Sequence, residues 1–224
     1  MSNVIDLHNG DCIEYMNNME KNSVDLLLTD IPYNEVNRKS NGLRNLDKKE
    51  ADGAEFDLEE AVNQFMRVTR GSIYVFCGIE QVSYIKKTFR ENGLSTRLVI
   101  WEKTNPSPMN GDSIWLSSVE CCVYGKKPKA TFNEHCKSSV LRFSCGRSKV
   151  HPTQKPLDLF DKIVKTSSNE GDIVFDPFMG SGTAGEAALR NGRKFIGCEL
   201  NEEWFNLSKD RIKNTEEEIN GRLI

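Results

Sequence analysis

DIVFDPFMGSGTAGEAALRNGRKFIGCEL, residues 172–200, is the stretch that decides the fold class. An apolar run ends at Asp176. A turn carrying Gly180 and Gly182 follows, then a helical pattern from Thr183 that stops at Gly192, then a second apolar run ending at Glu199. Strand, glycine turn, helix and strand make the β-α-β layout that binds nucleosides. Glycines let the backbone approach a ligand closely, and an acid after the second strand can accept both ribose hydroxyls. Glu199 follows Asp176 by 23 positions, an interval that suits this role. The turn is not G-x-G-x-x-G, and no Gly-Lys-Ser/Thr follows it, which counts against dinucleotides and ATP. A sulfonium-bearing nucleoside without phosphates is compatible.

Outward from this stretch the same alternation recurs. Apolar runs stand at NVIDL (3–7), VDLLLTD (24–30), SIYVFCG (72–78), RLVIWEK (97–103) and VECCVYG (119–125), besides the two already described. Near-continuous apolar runs are typical of strands covered on both faces. Helical patterns lie between them. Residues 57–70 place Leu58, Val62, Phe65 and Met66 on one face, and residues 80–93 place Val82, Ile85 and Phe89 on another before Gly93. Residues 156–168 open on Pro156 at a favourable first-turn position, and residues 201–218 read as a last helix. Alternating strands and helices predict an α/β fold, a parallel-rich sheet with helices on both faces. Two polar stretches, 34–56 and 103–154, fit no element well, and long loops in compact α/β domains usually carry function.

Composition bounds the rest. The chain has 224 residues, 38% hydrophobic and 28% charged, enough to bury a core. No apolar run approaches the roughly 18–20 residues that span a bilayer, and the first residues lack a signal-peptide pattern. The seven cysteines form no C-x-x-C pair, and several lie in strand-like runs, so they read as small buried hydrophobes in a reducing cytoplasm. No metal-ligand spacing is present, so no metal is expected. The net charge of −3 hides an asymmetry. Between Lys126 and Lys155 stand 8 basic residues and one acid, Glu134, which leaves 22 basic and 32 acidic residues, a net of −10, elsewhere. A cationic segment on an acidic body suits a phosphate-binding surface, though a solvated loop gives the same pattern.

LLLTDIPYN, residues 26–34, adds chemistry. An apolar run stops at a carboxylate, and a rigid proline and an aromatic follow. A strand with its cap would read the same way. Together, however, TDIPYN (29–34), HPTQKPLDL (151–159) and FDPFMGSGT (175–183) resemble the DNA amino-methyltransferases that modify adenine N6 or cytosine N4. NGDCIEYM (9–16), SIYVFCG, WEKTNPSPM (101–109) and CEL extend the likeness over nearly the whole chain. The catalytic tetrapeptide comes first and the cofactor motif late, a circularly permuted order that resembles the beta group of these enzymes.

The resemblance implies a single catalytic domain over residues 1–224 with a seven-stranded, Rossmann-like methyltransferase sheet. It implies S-adenosylmethionine as cofactor. Asp176, Phe178, Gly180, Ser181 and Gly182 would line the cofactor cleft, and Asp30 would border it. Glu199 would take the ribose hydroxyls, Asp11 and Cys12 would flank the cofactor's adenine, and Thr153 and Lys155 would lie near its methionine carboxylate. The catalytic turn is Asp30, Ile31, Pro32 and Tyr33. Asp30 and the Ile31 carbonyl would accept the two N–H bonds of a base amine and localise its lone pair. A paired base is out of reach, so it must be flipped out, and Tyr33 would supply a stacking face. The usual tetrapeptide is D-P-P-Y. Here Ile31 replaces the first proline, which keeps the carbonyl, frees φ and adds an N–H.

Aspartate at position 30 is more typical of adenine-N6 enzymes of this family, and serine of cytosine-N4 enzymes. The expected activity is therefore adenine-N6 methylation, with cytosine-N4 methylation or a catalytically inactive DNA-binding module as alternatives. Target recognition is expected in a small insertion at about 103–150, where Asn105, Lys126, Lys127, Lys129, Arg142, Arg147 and Lys149 would contact DNA, phosphate contacts positioning without specifying. The expected partner is double-stranded DNA. The resemblance leaves room for a homodimer and for a cognate restriction enzyme as functional partner, and no membrane is involved.

Overall fold

A computed structural model describes residues 5–33, 57–108, 111–146 and 154–221. Arg147, Lys149 and Thr153, and the whole stretch 34–56, lie outside these residues. Among the described residues eight strands form one sheet: β1 (Ile5–Asn9), β2 (Val24–Asp30), β3 (Thr69–Cys77), β4 (Ser95–Lys103), β5 (Val119–Lys126), β6 (Val140–Phe143), β7 (Ile173–Asp176) and β8 (Lys194–Glu199). Their spatial order is β1-β8-β7-β2-β3-β5-β4-β6. All neighbours pair in parallel except β5, which runs antiparallel to both β3 and β4. The sequence predicts seven of these strands. The eighth, β6, lies inside the supposed recognition loop. It has four residues and alternating exposure on the edge of the sheet, so it carries no continuous apolar run.

The described residues also form six helices that cover the sheet: α1 (Cys12–Asn18), α2 (Leu58–Val68), α3 (Ile79–Glu91), α4 (Leu157–Ser167), α5 (Thr183–Arg190) and α6 (Glu202–Gly221). Successive residues of a strand face opposite sides, and β2 shows why its run is apolar throughout. Leu26 and Leu28 belong to the core under α4 and α5 with Phe160, Val164 and Ala187. Leu27 belongs to the core under α1, α2 and α3 with Met16, Phe65 and Ile85. Two predicted boundaries move. Pro156 is the N-cap of α4 with extended backbone, one residue before the first turn. Helix α2 stops at Val68, so Thr69 and Arg70 open β3. The glycine stops hold: Gly93 and Gly192 adopt φ of +82° and +72°, the left-handed conformation that closes a helix C-terminus.

Candidate active site

Parallel strands end at one edge of the sheet, and ligands of open α/β sheets bind outside those carboxyl ends. Asp30 closes β2, Asp176 closes β7 and Glu199 closes β8. Asp11 follows β1 and caps α1, its Oδ1 accepting from Ile13 N at 2.7 Å and Glu14 N at 3.0 Å. Since β2, β7, β8 and β1 are neighbours, the four acids stand in a row along that edge.

The glycine turn between β7 and α5 sits over the Asp176 and Glu199 part of this row. Gly180 has φ of +49° and Gly182 φ of +75°, both strained for other residues. At Gly182 there is a packing reason as well, because a Cβ would stand 3.0 Å from the Ser208 Cβ on α6. At Gly180 a Cβ would meet nothing nearer than 3.9 Å, so the turn leaves open space there. Glu199 ties the turn down: one carboxylate oxygen accepts from Gly180 N at 2.8 Å and the other from Asn201 N at 2.9 Å. Arg211 of α6 braces the far side, donating to the Ser181 carbonyl at 2.9 Å and to Thr183 Oγ1 at 3.0 Å. Glu186 orients Arg211 at 2.6 Å. The sequence gives no hint of this brace, since nothing sets Arg211 apart from the exposed lysines of the same helix, Lys209 and Lys213.

Asp176 is buried, and its hydrogen bonds come from neutral donors, Thr29 Oγ1 at 2.7 Å and Phe178 N at 3.1 Å. Burial pushes its carboxyl up to about 7. A buried carboxylate without a cationic hydrogen-bond partner fits a ligand bearing an ammonium group. Burial likewise raises the Glu199 carboxyl, with its backbone hydrogen bonds opposing the rise. The Cys12 thiol is pushed up to about 12, by burial first and Asp11 second, so it is a neutral wall of the cleft. Carboxylates for hydroxyls and an amine, open space at a glycine turn and an apolar wall make a donor set that fits S-adenosylmethionine.

One strand over, a denser cluster surrounds Asp30. Lys155, buried at 6% exposure, makes an ion pair with Asp30 and reaches Glu120 at 3.0 Å and the Tyr33 hydroxyl oxygen at 3.4 Å. Tyr33 donates to Asp30 Oδ1 at 2.9 Å, and its hydroxyl lies 3.3 Å from Glu120 Oε2. Lys103 pairs with Glu120 at 2.8 Å. Burial lifts the Asp30 carboxyl, while Lys155 and Tyr33 oppose that lift. Burial also works to raise Glu120, but Lys155 and Lys103 outweigh it and hold the carboxyl below its usual range. Burial works against the charge of Lys155, and Asp30 and Glu120 reverse the effect, so the ammonium is retained.

Lys155 therefore stands on the carboxylate that closes β2, whereas the resemblance implies a place near the methionine end of the cofactor. Glu120 and Lys103 are absent from the sequence-predicted set. An acid at the start of the buried run VECCVYG is the signal that could have found Glu120. It reaches this edge because β5 is antiparallel and begins where its neighbours end: Glu120 pairs with Trp101 near the end of β4, and Cys121 with Cys77 at the end of β3.

The Ile31 turn is fixed without its proline. The added N–H donates to the Phe76 carbonyl at 3.1 Å, which extends the β2–β3 ladder by one bond. The Ile31 side chain is buried in the core under α1–α3. Gln81 of α3 donates to the Pro32 carbonyl at 3.0 Å and accepts from Gly78 N at 2.9 Å, which fastens the turn to the start of α3.

The expected DNA contacts divide. Asn105 and Arg142 flank the carboxyl edge: Asn105 Oδ1 accepts from Cys145 N at 2.6 Å, and Arg142 pairs with Glu102 near the end of β4 at 2.9 Å. Lys126, Lys127 and Lys129 do not. Strand β5 carries the chain away from Glu120, and Lys126 pairs with Ser72 near the start of β3. Six residues of strand put these lysines roughly 20 Å from the site. Lys127 is spent on Asn22 at 2.9 Å and on the Met66 carbonyl at 2.8 Å. Beyond it Asn133 caps the end of α4, donating to the Lys165 and Ser168 carbonyls at 3.0 Å each. The stretch 103–150 is thus not one recognition insertion. Its middle is a central strand and a strap under α4.

Comparison with known proteins follows this geometry. A family profile described as DNA methylase, for N6/N4 enzymes, matches residues 24–210. The type II methyltransferase M.HpaI of Haemophilus parainfluenzae is 32% identical over 93% of this chain and 73% of its own length. The crystal structure of the M1.HpyAVI–SAM complex matches with a TM-score of 0.73 and 31% identity, covering 93% of this chain and 100% of that one. PvuII DNA methyltransferase, described as cytosine-N4-specific, shares the fold at a TM-score of 0.68 and 18% identity, over 95% of this chain and 91% of its own. With its carboxylates gathered at one sheet edge and its sequence matched across most of its length, the chain belongs to the N6/N4 DNA methylase family.

Proposed function

We propose that the chain transfers the methyl group of S-adenosylmethionine to the exocyclic amine of a base flipped out of duplex DNA, and that the base is adenine, modified at N6. The observation that carries this reading is the adjacency of two acidic sites. Asp30 ends β2 and Asp176 ends β7, and those strands pair directly. An acceptor for an amine therefore stands one strand away from the cleft that suits a methyl donor.

S-adenosylmethionine supplies an electrophilic methyl group on a sulfonium centre. The chain supplies position and electrostatics. Asp176 receives the ammonium of the amino-acid end, and Glu199 receives ribose hydroxyls. Asp11 and Cys12 border the adenine, and Phe178, Gly180, Ser181 and Gly182 form the wall between them. Asp30 and the Ile31 carbonyl accept the two N–H bonds of the target amine, which draws its lone pair out of conjugation and towards the methyl group. Tyr33 offers its ring to the flipped base. Lys155 keeps Asp30 ionised and in place. The hydrogen bonds that hold the Ile31 turn support an active catalyst over an inactive binding module.

The choice of adenine rests on Asp30 and its resemblance to the aspartate of adenine-N6 enzymes. The order of the motifs supports the permuted beta group, and the reducing cytoplasm supported by the free cysteines is the proposed compartment. Digestion of duplex DNA treated with the chain and cofactor should yield N6-methyladenine. N4-methylcytosine would reverse the base and leave the mechanism intact, and neither product across varied DNA would overturn the catalytic reading.

A further inference from the structure

The site holds more titratable groups than positioning an amine requires. Asp30 of β2, Tyr33 of the turn, Glu120 of β5, Lys103 of β4 and Lys155 ahead of α4 form one connected cluster. The buried thiols of Cys77 on β3 and Cys122 on β5 face the same cluster. The Tyr33 hydroxyl has one proton and two carboxylates to give it to, Asp30 at 2.9 Å and Glu120 at 3.3 Å. Its oxygen also lies within 3.4 Å of the Lys155 ammonium, which keeps that oxygen in place between the acids. The Asp30 side chain is 27% exposed and that of Glu120 20%; a target amine seated on Asp30 covers that carboxylate, which leaves Glu120 as the end of the cluster that reaches water.

Amine methylation creates a proton that has to leave. The nitrogen lone pair forms the new N–C bond, and the electrons of the broken methyl–sulfur bond stay on sulfur. The nitrogen then carries a positive charge until one N–H proton departs. We infer that this proton leaves through Asp30, Tyr33 and Glu120 in turn, so that Tyr33 is a proton relay as well as a stacking face and Glu120 is the outlet. The inference rests on the amino-methyltransferase reading.

The steps balance. Asp30 takes the proton from nitrogen, which leaves a neutral methylamine. Protonated Asp30 passes it to the Tyr33 oxygen as Tyr33 releases its own proton to Glu120 Oε2. Glu120 then releases a proton to water, and each group returns to its starting state. Lys155 and Lys103 take no part in the transfer and hold the two carboxylates in reach. The chemistry of the groups agrees. Burial, then Asp30 and Glu120, push the Tyr33 hydroxyl far above its usual range, so it exchanges protons without becoming a tyrosinate. Burial lifts Asp30 while Lys155 and Lys103 lower Glu120, and both shifts favour passing a proton from Asp30 towards Glu120.

The test uses the full chain in single-turnover methylation of duplex DNA across pH 6 to 9. The variants are Glu120→Gln, Glu120→Asp and Tyr33→Phe, the last keeping the ring. The parent should methylate. Glu120→Gln and Tyr33→Phe should slow transfer by about 10²-fold, the low end of general acid–base contributions. Cofactor and DNA affinities, measured by calorimetry, should stay within about twofold, since neither group contacts the cofactor and the ring face remains. Glu120→Asp should recover most of the rate, and added imidazole should accelerate Glu120→Gln and not the parent. Carboxyl-carbon NMR of the chain alone should show the Asp30 titration displaced in Tyr33→Phe. Parent-like rates and pH profiles in both Glu120→Gln and Tyr33→Phe would overturn the relay and leave the methyltransferase reading standing. A slowed Glu120→Gln that imidazole leaves unchanged and that melts earlier would also overturn it, as a structural effect. A parent that transfers no methyl group to any DNA would overturn both.

Discussion

Asp25 and Asp30 lie on the same strand, one near each end, and do opposite work. Asp25 faces the amino edge of the sheet, where Arg70 grips it with two nitrogens at 2.5 and 2.7 Å and Ile173 N donates at 2.9 Å. Its charge is used up in joining β2, β3 and β7. Asp30 faces the carboxyl edge, where Lys155 and Tyr33 leave lone pairs on its oxygens free for a third partner. The two edges differ in the same way throughout. Lys127, Asn133 and Arg193 on the amino side bind the chain to itself, Arg193 through Ser168 at 2.7 Å. Asp176, Glu199 and Glu120 on the carboxyl side are acids collected beyond what folding needs. The parallel strands make this division, because their carboxyl ends and the loops that follow them lie on one side, and antiparallel β5 reaches that side with its beginning.

Exchanging the roles of the two aspartates should break the comparison most sharply. Asp30→Ala should lower methyl transfer by at least about 10³-fold, since the amine loses its charged acceptor, and should leave cofactor binding by calorimetry near parent. Asp25→Ala should keep the transfer rate and cost roughly 1–3 kcal/mol in denaturant unfolding, the scale of an unsatisfied Ile173 N–H with a partly solvated Arg70. Loss of activity in Asp25→Ala without loss of stability would show that the edges are not separable.

Asp176 sharpens the comparison from the side of stability. Its carboxyl is raised from 3.8 to about 7 in the folded chain, so folding is favoured by protonation. The cost is absent below the unfolded value, grows between pH 4 and 7, and is complete above about 7, where it amounts to roughly 4 kcal/mol. Asp176→Asn keeps the acceptor for Thr29 and Phe178. It should raise the melting temperature at pH 8 and leave it nearly unchanged at pH 4. Its affinity for S-adenosylmethionine should fall, and the parent should release a proton on binding below pH 7, seen as buffer-dependent heats. Equal melting curves at pH 8 would remove Asp176 from the strained set.

Smaller effects are expected from Glu199 and the lysines. Glu199→Ala should weaken cofactor binding by roughly 1–3 kcal/mol, as for lost hydrogen bonds to a charged group. Among the basic residues, Arg142→Ala should reduce the salt dependence of DNA binding by about one unit of slope if Arg142 meets a phosphate. Lys126→Ala, Lys127→Ala and Lys129→Ala together should leave the slope alone, because those side chains lie at the amino edge.

The sequence makes the cofactor half legible for a physical reason. The acids at 176 and 199, the glycines at 180 and 182 and the helix between them are local in the chain, and local patterns print themselves directly. Asp30 and Tyr33 are legible for the same reason. Glu120, Lys103 and Arg211 are not, because each reaches its partner through the topology of the sheet or the docking of a distant helix. The direction of β5 matters most. Read as a recognition loop, 103–150 places its lysines on DNA; once β5 is antiparallel, the same residues span the sheet from one edge to the other. The φ that Ile31 frees is likewise pinned by a partner the sequence cannot show, the Phe76 carbonyl that accepts from its N–H.

The brace from Arg211 to the glycine turn gives the chain an order of assembly. The turn at 180–183 leaves the ribosome well before Arg211 does, and until α6 docks, the Ser181 carbonyl and Thr183 hydroxyl lack the guanidinium that fastens them. A nascent chain therefore carries the motif without the shape that binds. Competence to hold cofactor should therefore arrive with the last helix, and a chain that ends before Arg211 should bind it weakly even where the sheet has formed.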